Sequence, residues 1–404
     1  MTRGAIGDRP RWTAPRGPED RPLPPSIIET IDPLRALADT LVGHEELAFD
    51  LEGDGLYRYR SRLCVVQLAT AAGELWLVDT LAIDDRSPLA AVLGPSGPRK
   101  IVHDVSYDAR LLAENDIELG NVFDTSVSAR LLSEPKAGLA GLLEKYLGVK
   151  LPKGRQKSDW GRRPLDADDL EYLAGDVRHL LELGHRLEDA VREAGIEAEV
   201  RVETDYLLHR ALTDEPDPRP PWARIKGFDG LGDEELAVLR EVAAVREEAA
   251  READVPPFKV VGNRELLEMA RRQPGTQRSL AAIPGAVRGR ARRLVPQFLE
   301  AIRRGRAAAL VPADERELAF PPASPRLERE IVTRRERALM KWRGAEARQR
   351  KVDPQVVLSG HCVRDLATFR PFDEEELRAV PGLGEVRIER YGSALLGVLD
   401  AADR

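Results

Sequence analysis

Four carboxylates and one tyrosine, spread over three segments, are the residues whose types and spacing could do chemistry. In the first segment, Asp50 and Glu52 flank Leu51 at the end of a short apolar run. Side chains two residues apart in a strand point to the same face, so these carboxylates would lie side by side. Their repulsion costs about 4 kcal/mol at about 4 Å and an effective dielectric near 20. A bound cation would offset that cost, although a strand end in solvent is the simpler alternative.

The second segment runs from His103 to Asp108 and follows the buried-looking run Ile101-Val102. Asp108 falls where a helix begins, at the strand-to-helix edge where α/β proteins bind ligands. A helix-capping aspartate is the alternative for Asp104 or Asp108.

The third segment places Tyr172 and Asp176 four residues apart in a well-patterned helix. This spacing puts the phenol and the carboxylate on one helix face. The small residues Ala174 and Gly175 between them leave room for a ligand to approach. A buried tyrosine beside a surface aspartate is the alternative.

Together the three segments offer only oxygen ligands, which suit Mg²⁺ or Mn²⁺ better than zinc. Two such ions about 3.5–4 Å apart can clamp a phosphodiester for hydrolysis. Tyr172, with an ordinary pKa near 10, would orient water or phosphate as a hydrogen-bonding group and is a poor base.

The elements that must position these residues lie in the first half of the chain. Short apolar runs predict strands at residues 47–49, 63–68, 74–79 and 101–102. Helical periodicity follows at residues 108–115, 127–132, 139–147 and 166–198. Strands followed mostly by helices are typical of an α/β or α+β layer domain.

The second half is helical throughout and contains an internal repeat. Pro-rich breaks occur at 214–222 and 311–325, where a helix cannot continue. Residues 255–262 resemble 353–360, with matching Pro and Gly positions 98 residues apart. We therefore predict two copies of one small helical domain.

The net charge of −7 argues against a nucleic-acid partner, but its distribution argues for one. Residues 285–306 contain seven Arg against one Glu, and residues 326–351 contain ten Arg or Lys against four Glu. Such blocks are typical of phosphate binding, with solvated helix faces as the alternative.

Several classes of protein are disfavoured by composition. No apolar run approaches the roughly 18 residues of a membrane span, so we expect no membrane partner. The two cysteines, Cys64 and Cys362, lie far apart, which argues against disulfides and zinc and favours a cytoplasmic location. The first 25 or so residues, rich in Pro and Arg, predict a disordered tail.

In order and spacing, the three segments resemble the motifs of the DEDD superfamily of 3′→5′ exonucleases. Tyr172 stands four residues before the last aspartate, and Glu171 stands where the His-type subfamily has its histidine. The chain therefore resembles the Tyr-type branch, and within it the ribonuclease D family. Supporting segments are Val65–Leu68, Phe123–Thr125, Ser158–Trp160 and Arg163–Leu165.

The resemblance implies an α/β RNase H-like exonuclease domain, with a mixed five-stranded sheet flanked by helices, followed by two all-α HRDC bundles. The implied boundaries are a tail at 1–25, the exonuclease domain at 26–212, a linker at 213–230, HRDC domain 1 at 231–310, a linker at 311–325 and an HRDC-like domain 2 at 326–404.

The resemblance also implies roles for individual residues. Catalysis would fall to Asp50, Glu52, Asp108, Tyr172 and Asp176, with the four carboxylates binding two divalent ions, Mg²⁺ or Mn²⁺. Leu51, His103, Lys157 and Trp160 would contact substrate. Leu51 would do so through its backbone, in a position where many members have a small polar residue. A structural role stays open for His103 and Trp160, and Asp124 is expected to cap a helix.

The implied function is release of 5′-nucleotides from RNA with a free 3′ end, such as tRNA precursors, by a monomer that needs no small-molecule cofactor. A DNA exonuclease and an inactive nucleic-acid-binding scaffold are the alternatives. A helicase lacks support because the chain has no G-x-x-x-x-G-K-[ST] phosphate loop.

Overall fold

The computed structural model describes residues 25–151, 154–321 and 325–404. The predicted disordered tail up to residue 24, and residues 322–324 of the second predicted linker, lie outside the described residues. The chain forms two compact units. The first comprises the residues up to Gly53, Leu63–Thr213 and Glu330–Arg404, and the second comprises Asp54–Arg62 and Asp214–Arg329.

The first unit contains a mixed six-stranded sheet in the order β1-β4-β3-β2-β5-β6. Its strands are β1 (Ser26–Ile28), β2 (Glu46–Gly53), β3 (Leu63–Ala69), β4 (Leu75–Asp79), β5 (Arg99–Val102) and β6 (Val122–Asp124). The pairs β2–β3 and β3–β4 are antiparallel, and the other pairs are parallel. All four predicted strands are confirmed. The count of five strands, which the resemblance implied, is wrong, because the described residues form six. Strands β1 and β6 were not predicted, since three residues each are too few to show a period.

Helices cover both faces of the sheet. They are α1 (Ile31–Leu41), α2 (Pro88–Leu93), α3 (Val105–Ala113), α4 (Thr125–Leu131), α5 (Leu139–Leu147), α6 (Ala167–Arg178), α7 (Leu180–Ala194) and α8 (Glu197–Thr213). One apolar core joins one face to α4–α7, and another joins the opposite face to α1–α3. The predicted single helix over 166–198 is wrong, because the backbone breaks at His179 and at Gly195, whose φ is 63°.

The second unit is helical. It contains α9 (Asp233–Glu252), α10 (Asn263–Arg272), α11 (Gln277–Ala281), α12 (Val295–Ala308) and α13 (Ala313–Ala319), with 3-10 turns at Pro221–Arg224, Phe228–Gly230, Pro257–Lys259 and Gly289–Leu294. Both predicted linkers are partly structured here. Trp222 is buried, and its indole N–H donates to Glu315 of α13 at 2.7 Å, so these segments belong to the helical core.

The chain ends in a second helical group with the same order of elements. It comprises α14 (Arg326–Arg350), α15 (Pro354–Val357), α16 (Gly360–Phe369), α17 (Glu374–Arg378) and α18 (Glu385–Asp403). Within the first unit this group packs against α8. Arg390 donates to Glu199 at 2.8 Å, and the His361 and Tyr206 rings stack with centroids 3.7 Å apart. In the part of the chain that the structure describes, no helix has the length and apolar character needed to cross a membrane.

Candidate active site

Strand β2 positions the first two carboxylates. Leu51, between them, is 3% exposed and packs in the core on the opposite face. Its side chain is therefore not available to a nucleotide, and a contact with substrate would have to be made by its backbone. Asp50 and Glu52 share the other face, opposite Gln67 and Val65 of β3, and the register shifts directly after Glu52.

Helix α3 positions Asp108 in its first turn, directly after β5. The turn is held by Asp124, whose carboxylate accepts the backbone N–H groups of Asp104 and Val105 at 3.1 and 2.9 Å. The same carboxylate caps α4 through Ser126 and Val127, so the prediction of a capping role for Asp124 is confirmed. Asp108 is 5% exposed, and its Oδ2 atom has no hydrogen-bond partner among the described residues.

Helix α6 positions Tyr172 and Asp176. It begins with a capping box in which Asp166 accepts the backbone N–H of Asp169 at 2.8 Å. The helix packs on β2 and β3. Tyr172 and Asp176, one turn apart, thereby face the carboxylates of β2, with which they interact electrostatically.

Mutual repulsion shows that the four carboxylates surround one region. Burial, and then Asp176, raise the pKa of Asp50 well above its usual range. Burial, Asp50 and Asp176 raise the pKa of Glu52 to about 9, and burial raises the pKa of Asp176 to about 7. The pKa of Asp108 is raised by burial and then by Asp50 and Glu52.

Tyr172 completes this cluster as a proton-bearing group. Burial and the nearby carboxylates, Asp176 first among them, raise the pKa of its phenol above the usual value. The phenol also hydrogen-bonds to Asp176, which lowers the pKa of that carboxyl. Tyr172 therefore stays protonated near neutral pH and can act as a hydrogen-bond donor.

The donor set fits a divalent cation. Hard cations prefer carboxylate oxygens, and here four carboxylates repel one another while a buried oxygen of Asp108 lacks a partner among the described residues. Within the described ranges, no three His, Cys, Asp or Glu side chains are already drawn together as a preformed metal site.

The residues predicted to contact substrate differ in how exposed their side chains are. His103 shares a 2.9 Å hydrogen bond with Thr125, and burial lowers its pKa. Lys157 is exposed. The side chain of Trp160 is 1% exposed and packs in the core, which favours the alternative role of a core anchor over the predicted sugar or backbone contact.

Gln67, which the sequence places only within a family motif, lies against the site. It is fully buried, pairs in register with Asp50, and its side-chain amide has no hydrogen-bond partner among the described residues. A lone glutamine inside an otherwise apolar strand is the signal in the sequence that could have found it.

Comparisons with known proteins agree with this geometry. The model of a 3′-5′ exonuclease family matches residues 25–192, and the model of the HRDC domain matches residues 235–302 and 333–399. The two HRDC matches coincide with the predicted repeat. The fold and the matched domains define a DEDD-type 3′→5′ exonuclease, a class that depends on divalent metal ions.

Proteins that match this chain over most of its length identify the family within this class of exonucleases. The chain is 30% identical over 385 residues to ribonuclease D of Granulibacter bethesdensis, covering 93% of this chain and 92% of that protein. It is 31% identical to ribonuclease D of Pseudomonas paraeruginosa, covering 88% and 92%. The crystal structure of Escherichia coli RNase D superposes with a TM-score of 0.67 and 26% identity, covering 94% and 99%.

The chain belongs to the ribonuclease D family, and it is a 3′→5′ exoribonuclease. The chain also resembles the catalytic core of RRP6 from Trypanosoma brucei, with a TM-score of 0.61 and 28% identity, over 71% of this chain and 81% of that one.

Proposed function

We propose that Asp50, Glu52, Asp108 and Asp176 hold two divalent ions, Mg²⁺ or Mn²⁺, and that Tyr172 orients the attacking water or the scissile phosphate. In this scheme Asp50 and Asp176 would be direct ligands, Glu52 would complete the site that holds the attacking water, and Asp108 would help to hold the second ion. The products are 5′-nucleotides, released one at a time from a free RNA 3′ end.

One observation carries this proposal: four carboxylates, Asp108 and Asp176 buried and Asp50 and Glu52 half-buried, converge from β2, α3 and α6, and the pKa values of Asp50, Glu52 and Asp108 are raised by burial and by neighbouring carboxylates of the set. Such a set keeps its negative charge near neutral pH only beside a compensating cation, because burial and repulsion otherwise favour protonation. Divalent ions bound there activate water and stabilise the departing oxygen.

Three residues stay proposed substrate contacts. Leu51 would approach the terminal nucleotide with its own backbone, and His103 would touch the same nucleotide. Lys157 would contact the sugar–phosphate backbone of the RNA.

We further propose that the substrates are structured RNAs with a single-stranded 3′ end, such as tRNA precursors. The E. coli relative is described as an exoribonuclease involved in structured RNA processing. Exposed arginines support a grip on an RNA backbone. Arg288, Arg290, Arg292 and Arg293, at the turn before α12, are exposed, and no ion pair is recorded for them among the described residues.

The test of catalysis uses single substitutions of the proposed ligands. We expect Mg²⁺-dependent shortening of an RNA from its 3′ end, lost by at least about 10³-fold in Asp50→Ala and Asp176→Asn, because removing one member of a unit disables it. Asp39→Ala, a change at an exposed carboxylate, is the control. Normal activity in Asp50→Ala would contradict the proposed metal site.

The substrate preference can be tested with one preparation of the enzyme and three substrates that share the same 3′ tail sequence. A tRNA with an extended 3′ tail, the same tail as free RNA, and the same tail as DNA are digested in parallel. We expect both RNAs to be shortened from the 3′ end, and we expect the DNA tail to be shortened more slowly. Equal or faster loss of the DNA tail would contradict the substrate proposal and leave the metal site intact.

A further inference from the structure

Trp160 lies behind the candidate active site and touches two of its members. Its ring stacks on Tyr172, with centroids 5.6 Å apart and planes inclined by 28°. Its indole N–H lies close enough to the Glu52 carboxylate to lower the pKa of that carboxyl. The indole nitrogen is buried and completes no hydrogen bond among the described residues, so it remains available to that carboxylate. A large buried aromatic group with a polar edge is therefore directed at one carboxylate.

Arg163 holds the segment that presents Trp160. Its guanidinium donates to the backbone oxygen of Trp160 at 2.7 Å and to the backbone oxygen of Cys64, on β3, at 3.0 Å. It also forms a two-pronged ion pair with Asp79 at the end of β4, donating to Oδ1 at 2.7 Å. Planar, multi-donor contacts of this kind fix geometry more tightly than a single ammonium does. One arginine thus ties the Trp160 segment to two strands.

We propose that Trp160 is a positioning residue of the exonuclease, which fixes the Glu52 carboxylate through its indole N–H and the Tyr172 phenol through ring stacking, and that Arg163 acts through Trp160. The proposal rests on the proposed roles of Glu52 and Tyr172. It explains why a tryptophan that is 1% exposed lies beside the site without reaching the substrate. Partners that orient metal ligands typically change metal affinity or activity by roughly 10- to 100-fold.

The decisive variant is Trp160→Phe, which keeps an aromatic ring and removes the N–H. We expect kcat on a short single-stranded RNA to fall roughly 10-fold or more, with KM nearly unchanged. Calorimetric titration with Mn²⁺, which needs no turnover, should show weaker binding. A loss of thermal stability alone would not produce that pattern.

The chain offers a matched control in Trp222→Phe. Trp222 is also buried, and its indole N–H also donates to a glutamate, Glu315, at 2.7 Å, within the second unit. The same chemical change there should lower thermal stability and leave kcat and Mn²⁺ affinity unchanged. Equal effects of the two substitutions on kcat and Mn²⁺ affinity, or no effect of Trp160→Phe on either, would overturn the proposal.

A second variant keeps the test valid if Trp160→Phe folds poorly. Arg163→Lys keeps a positive charge near Asp79 and loses the multi-donor contacts, so a smaller loss in the same direction is expected. The double variant should be about as impaired as Trp160→Phe, because both changes act on one group. Additive losses would overturn the role of Arg163. Activity in Asp50→Ala would instead indicate that the proposed metal site has failed.

Discussion

Asp50, Glu52, Asp108 and Asp176 form a cluster in which burial and mutual repulsion favour the protonated forms. A divalent ion reverses that preference, because it attracts the charged carboxylates and must displace their protons. Ion binding, proton release and stability are therefore linked at these residues. The linkage can be measured without any substrate.

Without metal, the thermal stability of the protein should depend on pH through Asp176. The pKa of Asp176 rises from 3.8 to about 7 on folding, so its neutral form stabilises the fold below about pH 4 and this contribution is lost as the pH rises through 7. A tenfold change in the proton affinity of a carboxylate corresponds to about 1.4 kcal/mol. In chelator, the midpoint of thermal unfolding should therefore fall mainly between about pH 4 and pH 7, and Mg²⁺ should restore it at pH 7.

Asp176→Asn provides the comparison for that prediction, because the amide does not ionise. Its unfolding midpoint in chelator should fall less over the same pH range, and Mg²⁺ should restore less. Calorimetric scans at about pH 4.5, 6 and 7.5 would measure both effects. If the variant declines as steeply as the natural chain, other groups cause the pH dependence.

At the scale of elements, local sequence patterns predict helices that end at local signals, and they miss helices and breaks that depend on tertiary packing. The predicted bounds of helix α5 agree with those observed, Leu139–Leu147, because its apolar period ends at a glycine, Gly148, with φ of 70°. Helix α13 escapes prediction because prolines flank it, and it is stabilised by the contact between Glu315 and Trp222, 93 residues away. The break at His179 could not be predicted, because no proline or glycine occurs there.

The same limit applies to the site. Asp50, Glu52, Asp108, Tyr172 and Asp176 can be found from spacing, because each occupies a fixed place on one strand or helix. The burial of Trp160 and the position of Gln67 opposite Asp50 depend on tertiary packing and strand register, which spacing does not reveal.

Close packing of helix α7 on the sheet gives an element-scale prediction. A Cβ added at Gly184 would lie 2.5 Å from Cγ2 of Ile101 on β5, which is too close for two carbon atoms. Although alanine favours helices by about 1 kcal/mol, overpacking costs about 1–3 kcal/mol. Gly184→Ala should therefore lower the free energy of unfolding in chemical denaturation.

Gly397→Ala is the control for that substitution. Gly397 lies in helix α18, and an added Cβ would have no neighbour within 4 Å. With only the propensity gain operating, this variant should be as stable as the natural chain or slightly more stable. A stabilising Gly184→Ala would mean that α7 can move away from β5 at little cost.

At the scale of the whole molecule, the net charge of −7 conceals a basic face on helix α14. Arg334, Arg337, Lys341 and Arg348 recur at the spacing of one helix face. All four are exposed, and no ion pair is recorded for them within the described residues. Other basic residues of the helix are paired, as Arg335 is with Asp403 at 2.6 Å. The four charges of this face span about 21 Å at 1.5 Å per residue.

These four charges should provide a salt-dependent hold on an RNA backbone. Changing Arg334, Arg337 and Lys341 together to alanine should weaken binding of a structured RNA. The dependence of log K on log salt should become shallower by about 2 to 3, since each phosphate contact contributes about 0.7 to 0.9. Cleavage of a short oligomer, which needs only the active site, should keep its rate.

The control replaces Arg192, Arg272 and Arg378, which pair with Asp189, Glu268 and Glu385, and changes the net charge equally. If both triple variants shift binding alike, net charge governs the affinity. If only the α14 variant does so, the basic face of α14 binds the RNA.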